Sequence, residues 1–172
     1  MTTRSPESDD APAGLDIGRF RQIMGRFASG VTVITAHHNG VNVGMTCQSF
    51  FSLSLDPLLV AFSPSRASST YPTIRAAGHF AVNILAEHQR ELCASFSAPG
   101  IDRWAGVDWS PGETGSPVLH DVVATIECEI EAEHEAGDHY IVVGRVLGMT
   151  ESPAHRPLLY FQGNYAVLEA DA

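Results

Sequence analysis

The sequence predicts a mainly β domain, an antiparallel barrel that is closed or nearly closed, with two or three helices decorating it. Three observations carry this. About seven short apolar or alternating runs recur along the chain. Asn39-Gly40 gives a strong hairpin signal between two of them. No glycine-rich GxGxxG fingerprint appears that would call for a Rossmann sheet.

At 172 residues the chain is the size of one domain and can bury roughly 70% of its unfolded surface in a single core. Residues 1–14 are rich in Ser, Pro, Asp and Thr and are expected to be a disordered tail, leaving 15–172 as the folded domain. Every basic residue is Arg, so lysine Schiff-base and lysine general-base chemistry are excluded. The formal net charge of −10 argues against nucleic acid and against an anionic membrane surface, because a binder needs a basic face. A phosphorylated cofactor would be repelled at long range, so its site needs local Arg or backbone N–H donors. Cys47, Cys93 and Cys128 are widely spaced, with no paired spacing of the zinc or thioredoxin kind. No metal site is expected, and a reducing cytoplasm fits best. No apolar run approaches membrane-spanning length, so the chain reads as soluble and unexported.

Taken in order, Asp16 is a candidate N-cap, and Phe20, Ile23, Met24 and Phe27 recur at the spacing of an amphipathic helix, with Gly30 as its expected C-cap. Residues 31–36 and 41–45 form the predicted hairpin around Asn39-Gly40. The return strand then turns polar at Thr46, Cys47, Gln48 and Ser49 before alternation resumes at Phe51, Leu53 and Leu55. Hydroxyl, amide and free backbone groups at that point suit a flat polar ligand bound edge-on. An irregular edge strand with a bulge explains the same residues equally well.

Asp56-Pro57 ends this strand, and residues 58–62 suit a short buried one. The hydroxyl-rich loop that follows, with Ser63, Ser65, Arg66, Ser68, Ser69 and Thr70, runs into a helix over 71–77 closed by Gly78. Hydroxyls beside an Arg at a helix start make an anion site through side-chain donors and orphan N–H groups; ordinary N-capping accounts for one of them. Residues 80–85 are a strand containing Asn83, followed by a helix from about 87 to 96. Residues 97–118 read as an irregular connection whose Trp104 and Trp109 favour packing over disorder. Arg103 in this loop could reach a nucleotide phosphate or stack on an aromatic ring.

Residues 126–135 alternate without a break, with Ile126, Cys128, Ile130 and Ala132 on one face and Glu127, Glu129, Glu131 and Glu133 on the other. The glutamates are expected to form a solvated face. Ala136-Gly137-Asp138-His139 is the next turn, residues 140–147 are the hairpin partner, and residues 157–160 and 165–168 suggest a closing hairpin. Neither paired carboxylates nor a Ser/His/Asp spacing stands out as catalytic.

Assembled in order, several motifs give the chain a specific likeness. They are Phe27-Ala28-Ser29-Gly30-Val31-Thr32-Val33-Ile34-Thr35; Gly44-Met45-Thr46-Cys47-Gln48-Ser49-Phe50 with Ser54-Leu55-Asp56-Pro57; Phe80-Ala81-Val82-Asn83-Ile84-Leu85; Gly137-Asp138-His139; and Pro157-Leu158-Leu159-Tyr160-Phe161 with Gly163 and Tyr165. From about Phe20 to Leu168 the chain resembles the flavin reductase family of the short, split-barrel type, the reductase component of two-component flavin-dependent monooxygenases.

The resemblance implies a homodimeric, Greek-key split β-barrel that binds FMN or FAD near the subunit interface. Thr46, Cys47, Gln48 and Ser49 would meet the isoalloxazine edge, and Ser63, Ser65, Arg66, Ser68, Ser69 and Thr70 would hold the ribityl phosphate, with Asn83 and Arg103 as further cofactor contacts. His139, with Gly137, Asp138 and Tyr165, would lie by the nicotinamide of NADH or NADPH and orient it without transferring a proton. From the residues alone, a turn histidine bonded to a neighbouring backbone group is the stronger reading of His139. The resemblance further implies hydride transfer to flavin in which the cofactors carry the chemistry, and delivery of reduced flavin to a separate monooxygenase. A flavin-holding electron carrier without nicotinamide turnover is the alternative. A split-barrel oxidase of a phosphorylated pyridoxine-type substrate suits the fold but not the Gly-Asp-His turn.

Overall fold

The computed structural model describes residues 15–98, 100–152 and 154–168; the expected tail, residues 1–14, lies outside them. Helix α1 (Ile17–Met24) begins where the sequence places it, with the Asp16 carboxylate accepting from the Arg19 N–H at 2.7 Å. It ends at Gly25 rather than Gly30. The reason is tertiary: the Gly25 carbonyl accepts from Gln162 N–H at 2.8 Å, and Ser29–Gly30 becomes a short strand, β1, paired with Tyr160 and Leu159.

Strands β2 (Thr32–His38) and β3 (Val41–Cys47) form the predicted hairpin. Asn39 and Gly40 both take positive φ, 51° and 79°, which matches the turn to the strand twist. Asp56-Pro57 is the tip of a second hairpin between β4 (Phe51–Leu55) and β5 (Leu58–Phe62). Helix α2 (Tyr71–Ala77) leads into β6 (His79–Ile84), and α3 (Arg90–Ser97) follows. Helix α3 starts later than predicted because the Gln89 side chain accepts from Ala86 N–H and donates to the His120 carbonyl, fixing residues 86–89 as a turn.

Inside the stretch expected to be irregular lies a small hairpin, β7 (Trp109–Pro111) with β8 (Pro117–Leu119). Glu127 pins its tip, accepting from the N–H groups of Glu113 and Thr114 and from the Thr114 hydroxyl at 3.1, 2.8 and 2.7 Å. Nothing local in the sequence announces that anchor. The two tryptophans pack as expected, Trp104 edge-on to Phe96 and to Trp109. The chain ends in the long hairpin β9 (Ala124–Ala136) and β10 (His139–Glu151) and the short pair β11 (Leu159–Phe161) and β12 (Asn164–Ala166).

Seven strands form one antiparallel sheet in the order β3-β2-β6-β9-β10-β5-β4. Its two edges, β3 and β4, are consecutive in the chain, so the sheet has to curl to bring them round. One face encloses Ile34, Phe62, Phe80, Cys128 and Val142 from five different strands, with Tyr71 and Ile74 of α2. No ladder joins β3 to β4 among the described residues, which leaves a seam in the curled sheet. This is the mainly β, split architecture that the sequence predicts. A second core, containing Val33, Leu85, Phe96 and Leu158, seats α3 on the other face. Gly44 permits that seating, because a Cβ there would stand 2.5 Å from the Phe96 ring.

The glutamate face of β9 is not simply solvated. Glu129 and Glu131 flank Arg145 at 3.6 and 2.6 Å, and Glu133 holds Arg75 at 2.5 and 2.8 Å while accepting from the Tyr71 hydroxyl. Cross-strand and helix-to-strand partners convert a predicted wet face into a paired one.

Candidate functional site

Three segments far apart in the sequence meet at one rim of the sheet. The Ser49 hydroxyl, just after β3, donates to the Ser63 carbonyl and accepts from the Ser63 N–H, both at 3.0 Å. The Ser63 hydroxyl then donates to the Tyr140 carbonyl at 2.6 Å. Backbone bonds fasten the loop to the turn: Arg66 N–H to the Asp138 carbonyl and Tyr140 N–H to the Pro64 carbonyl, both 2.9 Å, with a bridge between Ser65 and His139. The stretch 46–49, the loop 63–70 and the turn 137–139 therefore form a single polar rim.

Within it, many hydroxyls are already used by the protein. Thr46 donates to the Cys93 carbonyl at 2.9 Å, and Ser65 accepts from Ala67 N–H. Ser68 accepts from the N–H groups of Thr70 and Tyr71, so it caps α2 in place of Thr70. At the start of α2, Ser65 and Ser68 are therefore engaged by the fold, and Ser69 is the exposed hydroxyl of the run. Cys47 is buried, 3.3 Å from the Ser49 hydroxyl, and burial pushes its thiol pKa up, which keeps it a neutral space-filling group. Gln48 and Ser69 are exposed, and among the described residues their side chains have no hydrogen-bond partner. Strand β3 is also a sheet edge, so among the described residues one row of its backbone groups has no strand to pair with.

The turn is built around Gly137, at φ 63°. His139 Nδ1 lies 2.7 Å from the Asp138 carboxylate. A carboxylate only accepts, so Nδ1 carries the proton and Nε2 is the nitrogen left for a ligand. The hydrogen bond from His139 holds the Asp138 carboxyl below the usual range, with help from the charges of His139 and Arg21.

Three nominated residues have their polar groups engaged by the fold. Asn83 is wholly buried: its amide donates to the Val33 carbonyl and to the Thr35 hydroxyl and accepts from Leu119 N–H. With its bonds spent inside, it offers nothing to a cofactor, and the sequence-based nomination is corrected accordingly. Arg103 neither stacks on Trp104 nor points free. It donates to the carbonyls of Ala98 and Gly44 and to the Thr70 hydroxyl, which is why Thr70 does not cap α2. It lines a cleft of about 210 Å³ beside Gly44 and Thr70. Tyr165 donates to Cys93 Sγ at 3.1 Å, and this bond together with partial burial raises its pKa to about 12.

Sequence reading missed Tyr140 and Glu135. The Tyr140 ring lies under two guanidinium groups, Arg75 at 4.7 Å and Arg66 at 5.5 Å. Glu135 takes the Arg66 side chain at 3.2 Å. Both are cross-loop contacts with no local motif.

Comparison with known proteins decides the family. The profile described as flavin reductase like domain matches residues 24–169. The chain belongs to the flavin reductase like family. The reductase subunit HsaB of a flavin-dependent monooxygenase from Rhodococcus jostii (strain RHA1) is 44% identical over 161 residues, covering 94% of this chain and 83% of that protein. An FMN reductase (NADH) from Agrobacterium fabrum is 41% identical, covering 90% and 87%. The NADH:FAD oxidoreductase of Streptomyces globisporus C-1027, solved with NAD and FAD fragments, superposes with a TM-score of 0.87 at 34% identity, covering 91% and 95%. Among the described residues no helix is long and apolar enough to cross a membrane, and no cluster of His, Cys, Asp or Glu is arranged to hold a metal ion.

Proposed function

We propose that this member of the flavin reductase family is an NAD(P)H:flavin oxidoreductase that passes reduced flavin to a separate monooxygenase component. The observation that carries this is the convergence of residues 46–49, 63–70 and 137–139 on one rim. Flavin and nicotinamide have to lie against each other, and here the groups suited to each are hydrogen-bonded neighbours. The rim fits a flavin: edge backbone of β3 and the Gln48 amide for a ring edge, the Ser69 donors and Arg66 for a phosphate. In a chain of net charge −10, one local guanidinium is what a phosphate needs.

When both are bound, the dihydronicotinamide would supply a hydride and the flavin ring would accept it. The work of the chain is placement. Gln48 and the β3 edge orient the ring, Ser69 and Arg66 anchor its phosphate, and His139 Nε2 positions the nicotinamide. Asp138 fixes the His139 tautomer, so the same ring nitrogen always faces the ligand. Holding two reactants in attack geometry supplies several kcal/mol of the barrier, on the order of 7 or more when alignment is good. No proton-transfer dyad is required.

NADH is favoured over NADPH because two of the relatives above, from Agrobacterium fabrum and Streptomyces globisporus, are named for NADH. FMN and FAD both suit the rim. A homodimer in a cytoplasmic setting completes the proposal. Its support is α1, which buries none of its residues and leaves Ile17, Phe20 and Ile23 exposed, as a helix awaiting a second copy would. One domain over 15–172 accommodates all of this.

The test is the anaerobic absorbance change at the flavin band when NADH is added to protein with excess FMN. Bleaching of many flavins per protein is expected. Bleaching of one equivalent would mean a tightly bound flavin handed electrons in place, and no bleaching with NADH or NADPH would leave a flavin carrier and remove the role of His139.

A further inference from the structure

Two arginines lie over the same tyrosine, and they are held very differently. Arg75 is gripped at two points by Glu133, 2.8 Å to Nε and 2.5 Å to Nη2, with the Tyr71 hydroxyl on the same carboxylate. That arrangement is bidentate and fixes the guanidinium in place. Arg66 meets Glu135 at one point, 3.2 Å, with the two side chains 45% and 68% exposed. A single exposed contact of this kind breaks easily. Its backbone is nevertheless fixed, since Arg66 N–H donates to the Asp138 carbonyl. The guanidinium can therefore leave Glu135 without the loop moving. Three residues on in the same loop, Ser69 is exposed and has no protein partner among the described residues.

We propose that Glu135 competes with the flavin phosphate for Arg66 and thereby sets how weakly flavin is held. This rests on the assignment of Arg66 to the phosphate made above. In the ligand-free protein the cation is parked on Glu135, two residues before the Gly137 turn. A phosphate has to displace that carboxylate and then sit beside it, so part of its attraction to Arg66 is cancelled. A flavin held this loosely exchanges, as it must if its reduced form is to be delivered elsewhere. Riboflavin, with no phosphate, is indifferent to the competition.

The experiment is a double-mutant cycle on the full chain, with dissociation constants for FMN and riboflavin measured in E135Q, R66Q and the double variant. Glu151, at the far end of the same hairpin, provides E151Q as a control for net charge. The expected result is that E135Q tightens FMN by about two- to fivefold and leaves riboflavin unchanged, that the gain disappears in the R66Q background, and that E151Q does nothing comparable. An equal gain with and without Arg66, or an equal gain in E151Q, would show a general charge effect and overturn the proposal. If R66Q weakens FMN but E135Q changes nothing, the competition is overturned while the phosphate assignment stands. If R66Q and S69A leave the FMN-to-riboflavin affinity ratio unchanged, the phosphate assignment fails and the competition with it. Thermal melts of each variant confirm that surface substitutions, not unfolding, are being read.

Discussion

Asn83 and the rim at residues 63–70 contain the same kinds of polar groups and have opposite uses. At Asn83 the amide faces inward between β2 and β8, and its donors and acceptor are matched by Val33, Thr35 and Leu119, while Thr35 donates onward to the Pro117 carbonyl at 2.5 Å. At the rim, Ser63 and Ser68 are matched in the same way, but Gln48, Ser69 and Nε2 of His139 keep their bonding capacity. Residue type does not separate a structural polar group from a binding one. What separates them is whether its hydrogen bonds are already made when the chain has folded.

The sharpest way to break this contrast is Asn83→Ala. It strands the buried Leu119 N–H and leaves a void where the amide stood, which together cost about 3 kcal/mol. For a chain of this size that lowers the melting midpoint by roughly 6–12 °C, with flavin affinity of the folded fraction unchanged. Weaker flavin binding at full stability would put Asn83 back among the cofactor contacts. Next in size, His139→Ala is expected to raise the KM for NADH about tenfold, equivalent to ~1.4 kcal/mol, while the flavin dissociation constant moves little. Equal losses for both ligands would mean the turn serves the whole rim rather than one ligand.

The smallest effect concerns Glu127, which pins the β7–β8 tip that in turn presents Leu119 to Asn83. Burial opposes its ionisation, but the bonds from Thr114 and Glu113 outweigh that and hold its pKa below the ordinary 4.5. A depressed carboxyl stabilises the fold at pH values above the unfolded pKa, and the contribution is lost as pH falls through the folded one. Glu127→Gln should therefore cost about 0.5–1 kcal/mol near neutral pH and progressively less below pH ~4. Melting midpoints of the two proteins that stay parallel across that range would count against the hydrogen-bonded carboxylate.

What the sequence made legible follows the same divide. The Asn39-Gly40 hairpin, the alternation of β9 and the helix over 71–77 are local patterns, and each appears where the pattern lies. The polar exit of β3, the hydroxyl loop and the Gly-Asp-His turn were also visible as segments, and they do meet. Their wiring was not visible. The end of α1 at Gly25 depends on Gln162, the β7–β8 hairpin on Glu127, the paired glutamates on Arg75 and Arg145, and the parking of Arg66 on Glu135. Each of these partners lies far along the chain, and periodicity carries no information about them. The same holds for Arg103, whose bonds to Gly44 and Thr70 span loops that no motif connects.

The backbone bonds joining residues 64–66 to 138–140 tie the two loops in time as well as in space. The amide protons of Arg66 and Tyr140 sit in different loops, yet each is shielded by the other loop's carbonyl. Neither loop can swing out without releasing both, so solvent exchange at the two positions belongs to one opening event. The rim is a single door with two leaves on a common latch, and whatever binds one leaf slows the other.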